Sequence, residues 1–131
     1  MRILGIDYGR KKIGLAWSET ILAEPLMVLR EETLEQLISK IKKIVQEKSA
    51  QEIVIGISEN SMAAETRAFG EKLKEALLLP VNYQDETLTS REAQKLAISA
   101  GVRRGKRKAM EDAYASALML QSYLERKNSN V

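Results

Sequence analysis

The sequence contains no cysteine and no histidine among its 131 residues. Without cysteine, disulfides, thiolate nucleophiles and zinc–sulfur sites are excluded. Without histidine, the chain lacks the commonest general base and the commonest transition-metal ligand. Any catalysis must therefore use carboxylates, hydroxyls, amines or guanidinium groups. Carboxylates without imidazole or thiolate favour a hard cation such as Mg²⁺ or Mn²⁺.

Long hydrophobic runs are also absent, since no apolar stretch approaches the roughly 20 residues that span a bilayer. The start, Met1–Gly5, enters a strand pattern without a signal-peptide cleavage site. We therefore expect a cytoplasmic protein with no membrane partner. The length predicts a single domain over residues 1–131.

Positive charge is unevenly distributed, although the formal net charge is only +3. The first basic cluster is Arg10, Lys11 and Lys12, and the second is Arg103, Arg104, Lys106, Arg107 and Lys108. One interpretation is that both are ordinary solvated loops. The other is a phosphate-binding surface that recognises nucleic acid through its backbone.

Hydrophobic periodicity predicts three consecutive strands at the start of the chain. They are Ile3–Ile6, Ile13–Trp17 and a third strand from Ile21 to Leu29. The period then changes to helical spacing from Leu34 to Val45, behind a capping box of Thr33 and Gln36.

The rest of the chain alternates between strands and helices. The predicted order is a strand at Ile53–Ile57, a helix over about Met62–Leu78, a strand at Val81–Asp85, a helix from Thr89 to Gly101 and a largely buried helix around Ala113–Leu120. This order predicts an α/β fold with a mixed five-stranded sheet. A three-strand antiparallel meander would be joined by two parallel strands, with helices on both faces.

Acidic residues fall at the ends of three predicted strands and in one helix. Asp7 ends the first strand, Glu59 follows the buried central strand, and Asp85 and Glu86 end the last one. Asp112 lies in the first turns of an otherwise apolar helix. Ligands of open α/β sheets bind at the carboxyl ends of strands. Each acid alone also fits an ordinary role in a turn or near a helix N-terminus.

Taken together, these acids beside basic loops favour phosphodiester chemistry. Clustered carboxylates would repel one another unless cations lay among them. Two divalent cations about 3.5–4 Å apart could activate a water and stabilise the leaving oxygen. This chemistry requires neither histidine nor cysteine.

Several stretches resemble, in order, the YqgF family, also called RuvX, of Holliday-junction-resolvase-like proteins. They are Ile3–Ala16, Ile55–Ile57, Asp85–Thr89 with Glu92-Ala93, and Lys106–Lys108 leading to Asp112-Ala113. The resemblance implies a ribonuclease H-like fold and metal-dependent cleavage of structured nucleic acid. It implies 5′-end processing of pre-16S rRNA within ribosomal precursor particles, or resolution of branched DNA. By motif, Asp7, Glu86 (or Asp85) and Asp112 would bind the metal.

The chain departs from the family pattern at two places. Thr87 stands where the family usually has arginine, and Arg91 or the second basic cluster could supply the missing phosphate contact. Gly56-Ile57-Ser58 replaces the usual Gly-Leu-Pro and is followed by Glu59. Glu59 falls where related resolvases carry an acid, so the middle ligand is left open between Glu59, Asp85 and Glu86.

Two other functions fit parts of the sequence. The turn at Asp7–Arg10 resembles the first phosphate loop of actin-like ATPases, but that class needs a second such domain and a second loop. A non-catalytic RNA- or ribosome-binding module could keep the fold without turnover. An end-processing nuclease could be a monomer, whereas a symmetric branched substrate would suit a weak homodimer.

Overall fold

The computed structural model describes residues 1–30, 33–58, 61–85 and 109–129. The described strands are β1 (Ile3–Asp7), β2 (Ile13–Ser18), β3 (Glu24–Leu29), β4 (Glu52–Ile57) and β5 (Val81–Asp85). The described helices are α1 (Leu34–Lys48), α2 (Ala63–Leu77) and α3 (Glu111–Ser129). The predicted helix over Thr89–Gly101 lies outside the described residues. No helix within the described ranges is both long and apolar enough to cross a membrane.

The five strands form one sheet in the order β3-β2-β1-β4-β5. β1 pairs antiparallel with β2, and β2 pairs antiparallel with β3. On its other side β1 pairs parallel with β4, which pairs parallel with β5. The predicted meander with two added parallel strands is therefore confirmed.

The third strand begins later than predicted, at Glu24 rather than Ile21. The Ser18 hydroxyl donates to the carbonyl of Thr20, and the Leu22 amide donates to the Thr20 hydroxyl. These local bonds hold a turn where the hydrophobic pattern predicted a strand. Ile21 and Leu22 are exposed as a result.

Helices cover both faces of the sheet, as predicted. In β1, Leu4 and Ile6 belong to the core beneath α1 and α2, whereas Ile3 belongs to the core beneath α3. Successive side chains of a strand point to opposite faces. Gly5 accordingly faces α3, and a Cβ added there would lie 3.2 Å from Leu120.

The final helix is buried along its inner side, as its composition predicted, and extends to Ser129. Near its end, the hydroxyl of Tyr123 donates to Glu52, a carboxylate only 2% exposed. Asn82 and Lys127 also donate to Glu52. Burial, followed by this hydrogen bond, raises the pKa of Tyr123 to about 12. This polar network fixes α3 at the amino-terminal edge of β4.

The ends of α1 and the C-terminal end of α2 show specific capping features. Thr33 and Gln36 form the predicted capping box at the start of α1. Ser49 and Leu78, which end α1 and α2, both adopt the left-handed conformation. Leu78 has φ 56° and is 86% exposed, so its side chain gains little from packing to offset the unfavourable backbone.

Replacing Leu78 with glycine is expected to stabilise the protein by about 0.5–1 kcal/mol, because glycine adopts positive φ without steric cost. Urea unfolding followed by circular dichroism would measure the change. Glu75→Gly, at an exposed helical position of α2, should instead destabilise by about 1 kcal/mol. A loss of stability in Leu78→Gly would show that the exposed leucine contributes more than its backbone costs.

Candidate active site at the carboxyl end of β1

Asp7 ends β1 and points to the α3 face of the sheet, because it follows the alternation set by Ile3 and Gly5. Its neighbours across the sheet are Gly14 of β2 and Gly56 of β4. Gly56 is in turn paired with Gln84 of β5. Asp7 thus lies between two residues without side chains on the α3 face of the sheet.

Asp112 reaches the same place from the first turn of α3. A Cβ added to Gly14 would lie 2.0 Å from the carbonyl oxygen of Asp112, so the start of α3 lies directly on Gly14. Gly14 is also the residue paired with Asp7. Adjacent strands are about 4.8 Å apart. The structure therefore brings Asp112 against the strand neighbour of Asp7, so that these two residues, remote in sequence, lie near each other at the sheet edge.

Lys12 forms an ion pair with Asp112. Its ammonium lies 3.0 Å from Oδ2 of Asp112, with side-chain exposures of 38% for the lysine and 28% for the aspartate. The sequence predicted Lys12 as part of a nucleic-acid-binding cluster and gave no sign of this ion pair.

The other residues of the β1–β2 turn point elsewhere. Tyr8 stacks on Phe69 on the α1/α2 side, and its hydroxyl donates to Glu65. Burial, then the nearby Glu65 carboxylate, raises the pKa of Tyr8. Arg10 forms an ion pair with Glu65 at 3.0 Å. Lys11 is exposed at the tip of the turn.

Asp85 lies on the opposite face from Asp7. It is paired with Ile57, which follows Ile53 and Ile55 on the face covered by α1 and α2. Among the described acids, the structure thus does not bring Asp85 to Asp7 and Asp112. The remaining candidates, Glu59, Glu86, Arg91, Arg103, Arg104, Lys106, Arg107 and Lys108, lie outside the described residues.

Gln84 is a polar residue of this region that the sequence analysis missed. It shares the α3 face with Asp7, and Gly56 of β4 is the residue that lies between them across the sheet. Gln84 is 9% exposed, and its buried Oε1 has no hydrogen-bond partner among the described residues. On α3, the buried hydroxyl of Ser116 likewise lacks a partner within the described ranges. Strand alternation predicts that Gln84 shares a face with Asp7, but only once the register of β1, β4 and β5 is known.

Comparison with known proteins identifies the family of this chain. The family model described as RuvX, Holliday junction resolvase, matches residues 1–126. The chain belongs to the RuvX family. The predicted resemblance, and with it the prediction of a nuclease-type hydrolase, is confirmed.

Two curated relatives illustrate the likeness. A protein of Desulforamulus reducens, assigned as a pre-16S rRNA nuclease, is 39% identical over 95% of this chain and 97% of its own length. A protein of Streptococcus thermophilus with the same assignment is 36% identical over 96% and 99%.

Solved structures confirm the ribonuclease H-like fold. RuvC of T. thermophilus in complex with a Holliday junction substrate superposes with a TM-score of 0.64 at 14% identity, covering 98% of this chain and 96% of its own. Fowlpox virus resolvase in complex with Holliday junction DNA superposes at 0.61 and 14% identity, covering 97% and 99%. At this identity the likeness concerns the fold alone.

The donor groups of this RuvX-family chain suit a hard divalent cation. Asp7, Asp112 and the unpartnered amide oxygen of Gln84 are all oxygen donors on one face, and Mg²⁺ and Mn²⁺ prefer such ligands. Among the described residues, no three acidic side chains cluster closely enough to hold an ion by themselves. A complete acidic site would therefore need a further carboxylate from outside the described ranges.

Proposed function

We propose that this chain is a metal-dependent nuclease that cleaves structured nucleic acid, with the 5′ end of pre-16S rRNA as its substrate. The observation that carries the proposal is the meeting of Asp7 and Asp112 at Gly14. The assignment of the curated relatives as pre-16S rRNA nucleases supports the choice of substrate.

The proposed ligands of the divalent cation are Asp7, Glu86 and Asp112. A bound Mg²⁺ or Mn²⁺ would activate a water and stabilise the charge on the leaving oxygen. Around it, β1 and the first turn of α3 hold two of the carboxylates on rigid elements, so the donors are preorganised. Lys11 and the second basic cluster would bind the phosphate backbone and position the scissile bond.

We choose Glu86 over Asp85 as the middle ligand. Asp85 is on the α1/α2 face, away from Asp7. Glu59 stays as an alternative, since it follows β4, the strand next to β1. A crystal soaked in Mn²⁺ would decide between the two, because the ion's anomalous signal identifies its direct ligands.

A cleavage assay with two substrates tests the function itself. Precursor 16S rRNA and a four-way DNA junction would be offered side by side with Mg²⁺, with Mn²⁺ and with EDTA. Metal-dependent cleavage of the rRNA at a defined 5′ position is expected. Full activity in EDTA would contradict the metal mechanism.

Resolution of branched DNA is the second candidate. It is favoured by the family's description as Holliday junction resolvase and by the shared fold with RuvC. Junction cleavage without rRNA cleavage in the same assay would select it. Binding of either substrate without cleavage under all metal conditions would select a non-catalytic binding module.

Neutralising four cations of the second basic cluster tests the predicted backbone contacts. Replacing Arg103, Arg104, Arg107 and Lys108 with glutamine should weaken binding about equally for different sequences. The slope of log affinity against log salt concentration should also become shallower, by about 0.7–0.9 for each lost phosphate contact. Fluorescence anisotropy at several salt concentrations would measure both quantities. An unchanged slope would show that the cluster is an ordinary solvated surface.

A further inference from the structure

Lys12 differs from the other cations of the β1–β2 turn in what it contacts. Arg10 pairs with Glu65 of α2, on the face away from Asp7. Lys12, by contrast, precedes β2 on the α3 side, and its ammonium lies 3.0 Å from Oδ2 of Asp112. The turn therefore directs one cation specifically to a carboxylate proposed to bind metal.

The position of this ammonium follows from the charges around it. The backbone of Asp112 lies against Gly14, the residue that pairs with Asp7, and carboxylates that lie near one another repel unless a cation is close. Lys12 supplies a positive charge at that point from within the chain. A divalent ion that uses Asp112 must therefore compete with Lys12 for the same carboxylate.

Lys12 is also placed to contact an incoming phosphate. Its side chain is 38% exposed, and lysine carries a compact charge on a flexible stem. A phosphodiester that approaches Asp7 and Asp112 comes within reach of this ammonium. The ammonium has three donors but a single charge, so a phosphate that accepts from it weakens its hold on Asp112.

We propose that Lys12 is an exchangeable internal cation that couples binding of the nucleic-acid backbone to binding of the divalent ion. This inference rests on the proposed function. With no nucleic acid present, Lys12 occupies Asp112 and weakens metal binding. A bound phosphate backbone draws the ammonium away and strengthens metal binding. Because such coupling is reciprocal, the divalent ion must strengthen backbone binding by the same factor.

The test is Mn²⁺ binding, measured by electron paramagnetic resonance with and without a probe. The probe is a 12-nucleotide RNA fully substituted with phosphorothioate, which retains the backbone charge and resists cleavage. Without the probe, Lys12→Gln should bind Mn²⁺ about twofold to fivefold more tightly than the wild-type protein, as expected for loss of a half-exposed ion pair. The gain in Mn²⁺ affinity caused by the probe should be smaller in this variant by the same factor.

Lys42→Gln is the matched control, because it removes the same charge from an exposed position of α1, on the other face of the sheet, without touching the Lys12–Asp112 pair. It should retain the wild-type coupling between the probe and Mn²⁺, as should Lys12→Arg. Equal Mn²⁺ affinities in Lys12→Gln and wild type, with equal gains from the probe, would overturn the inference alone. Failure of the wild-type protein to bind Mn²⁺ with or without the probe would overturn the proposed function as well.

Discussion

Replacing Asp7 with asparagine is expected to lower the cleavage rate by about 10²–10³-fold while substrate affinity changes little. The amide keeps the size of the side chain but removes the negative charge that would hold the divalent ion. Such an ion would supply several kcal/mol of transition-state stabilisation, and each 1.36 kcal/mol corresponds to a factor of ten. Single-turnover cleavage and anisotropy binding would separate the rate from the affinity.

Asp85→Asn is the matched control for this experiment. Asp85 also ends a strand at the carboxyl edge of the sheet, but it points to the opposite face. Its replacement should retain most of the cleavage rate, whereas Glu86→Gln should behave like Asp7→Asn. Cleavage by Asp7→Asn at the wild-type rate would show that the Asp7 carboxylate is not required for the reaction.

The fold was predictable because local patterns and long-range packing agree in this chain. The apolar run of β4 is buried on both faces, as its lack of alternation indicated. The start of α1 follows from a capping box formed by residues three positions apart, Thr33 and Gln36. The predicted start of β3 was wrong because local hydrogen bonds of Thr20 outweigh the apolar character of Ile21 and Leu22.

The candidate site was less predictable, because its geometry depends on strand register. The sequence placed Asp85 and Glu86 side by side at a strand end, and only the pairing of Asp85 with Ile57 assigns the former to the α1/α2 face. The partner of Lys12 depends on where α3 begins relative to β2. Composition and periodicity carry no information about such contacts between distant segments.

Gly14→Ala should be nearly as damaging as the loss of Asp7, although glycine carries no functional group. A Cβ there would lie 2.0 Å from the carbonyl oxygen of Asp112 and 2.8 Å from the amide nitrogen of Ala113. Both atoms are backbone, so the start of α3 must move away from the sheet. Overpacking of this kind costs about 1–3 kcal/mol. A displacement of about 1 Å at a reacting centre can reduce the rate by about 10²-fold.

Gly70→Ala separates this displacement from a simple loss of stability. Its Cβ would also meet an atom at 2.1 Å, but that atom is the hydroxyl of Tyr83, at the far end of a side chain on the other face. Thermal unfolding and Mn²⁺ affinity would be measured for both variants. Gly14→Ala should lose Mn²⁺ affinity even where it is fully folded, whereas Gly70→Ala should bind Mn²⁺ normally. Normal Mn²⁺ binding by Gly14→Ala would mean that Asp112 need not lie against β2 to hold the ion, and the convergence of the two aspartates would then not explain catalysis.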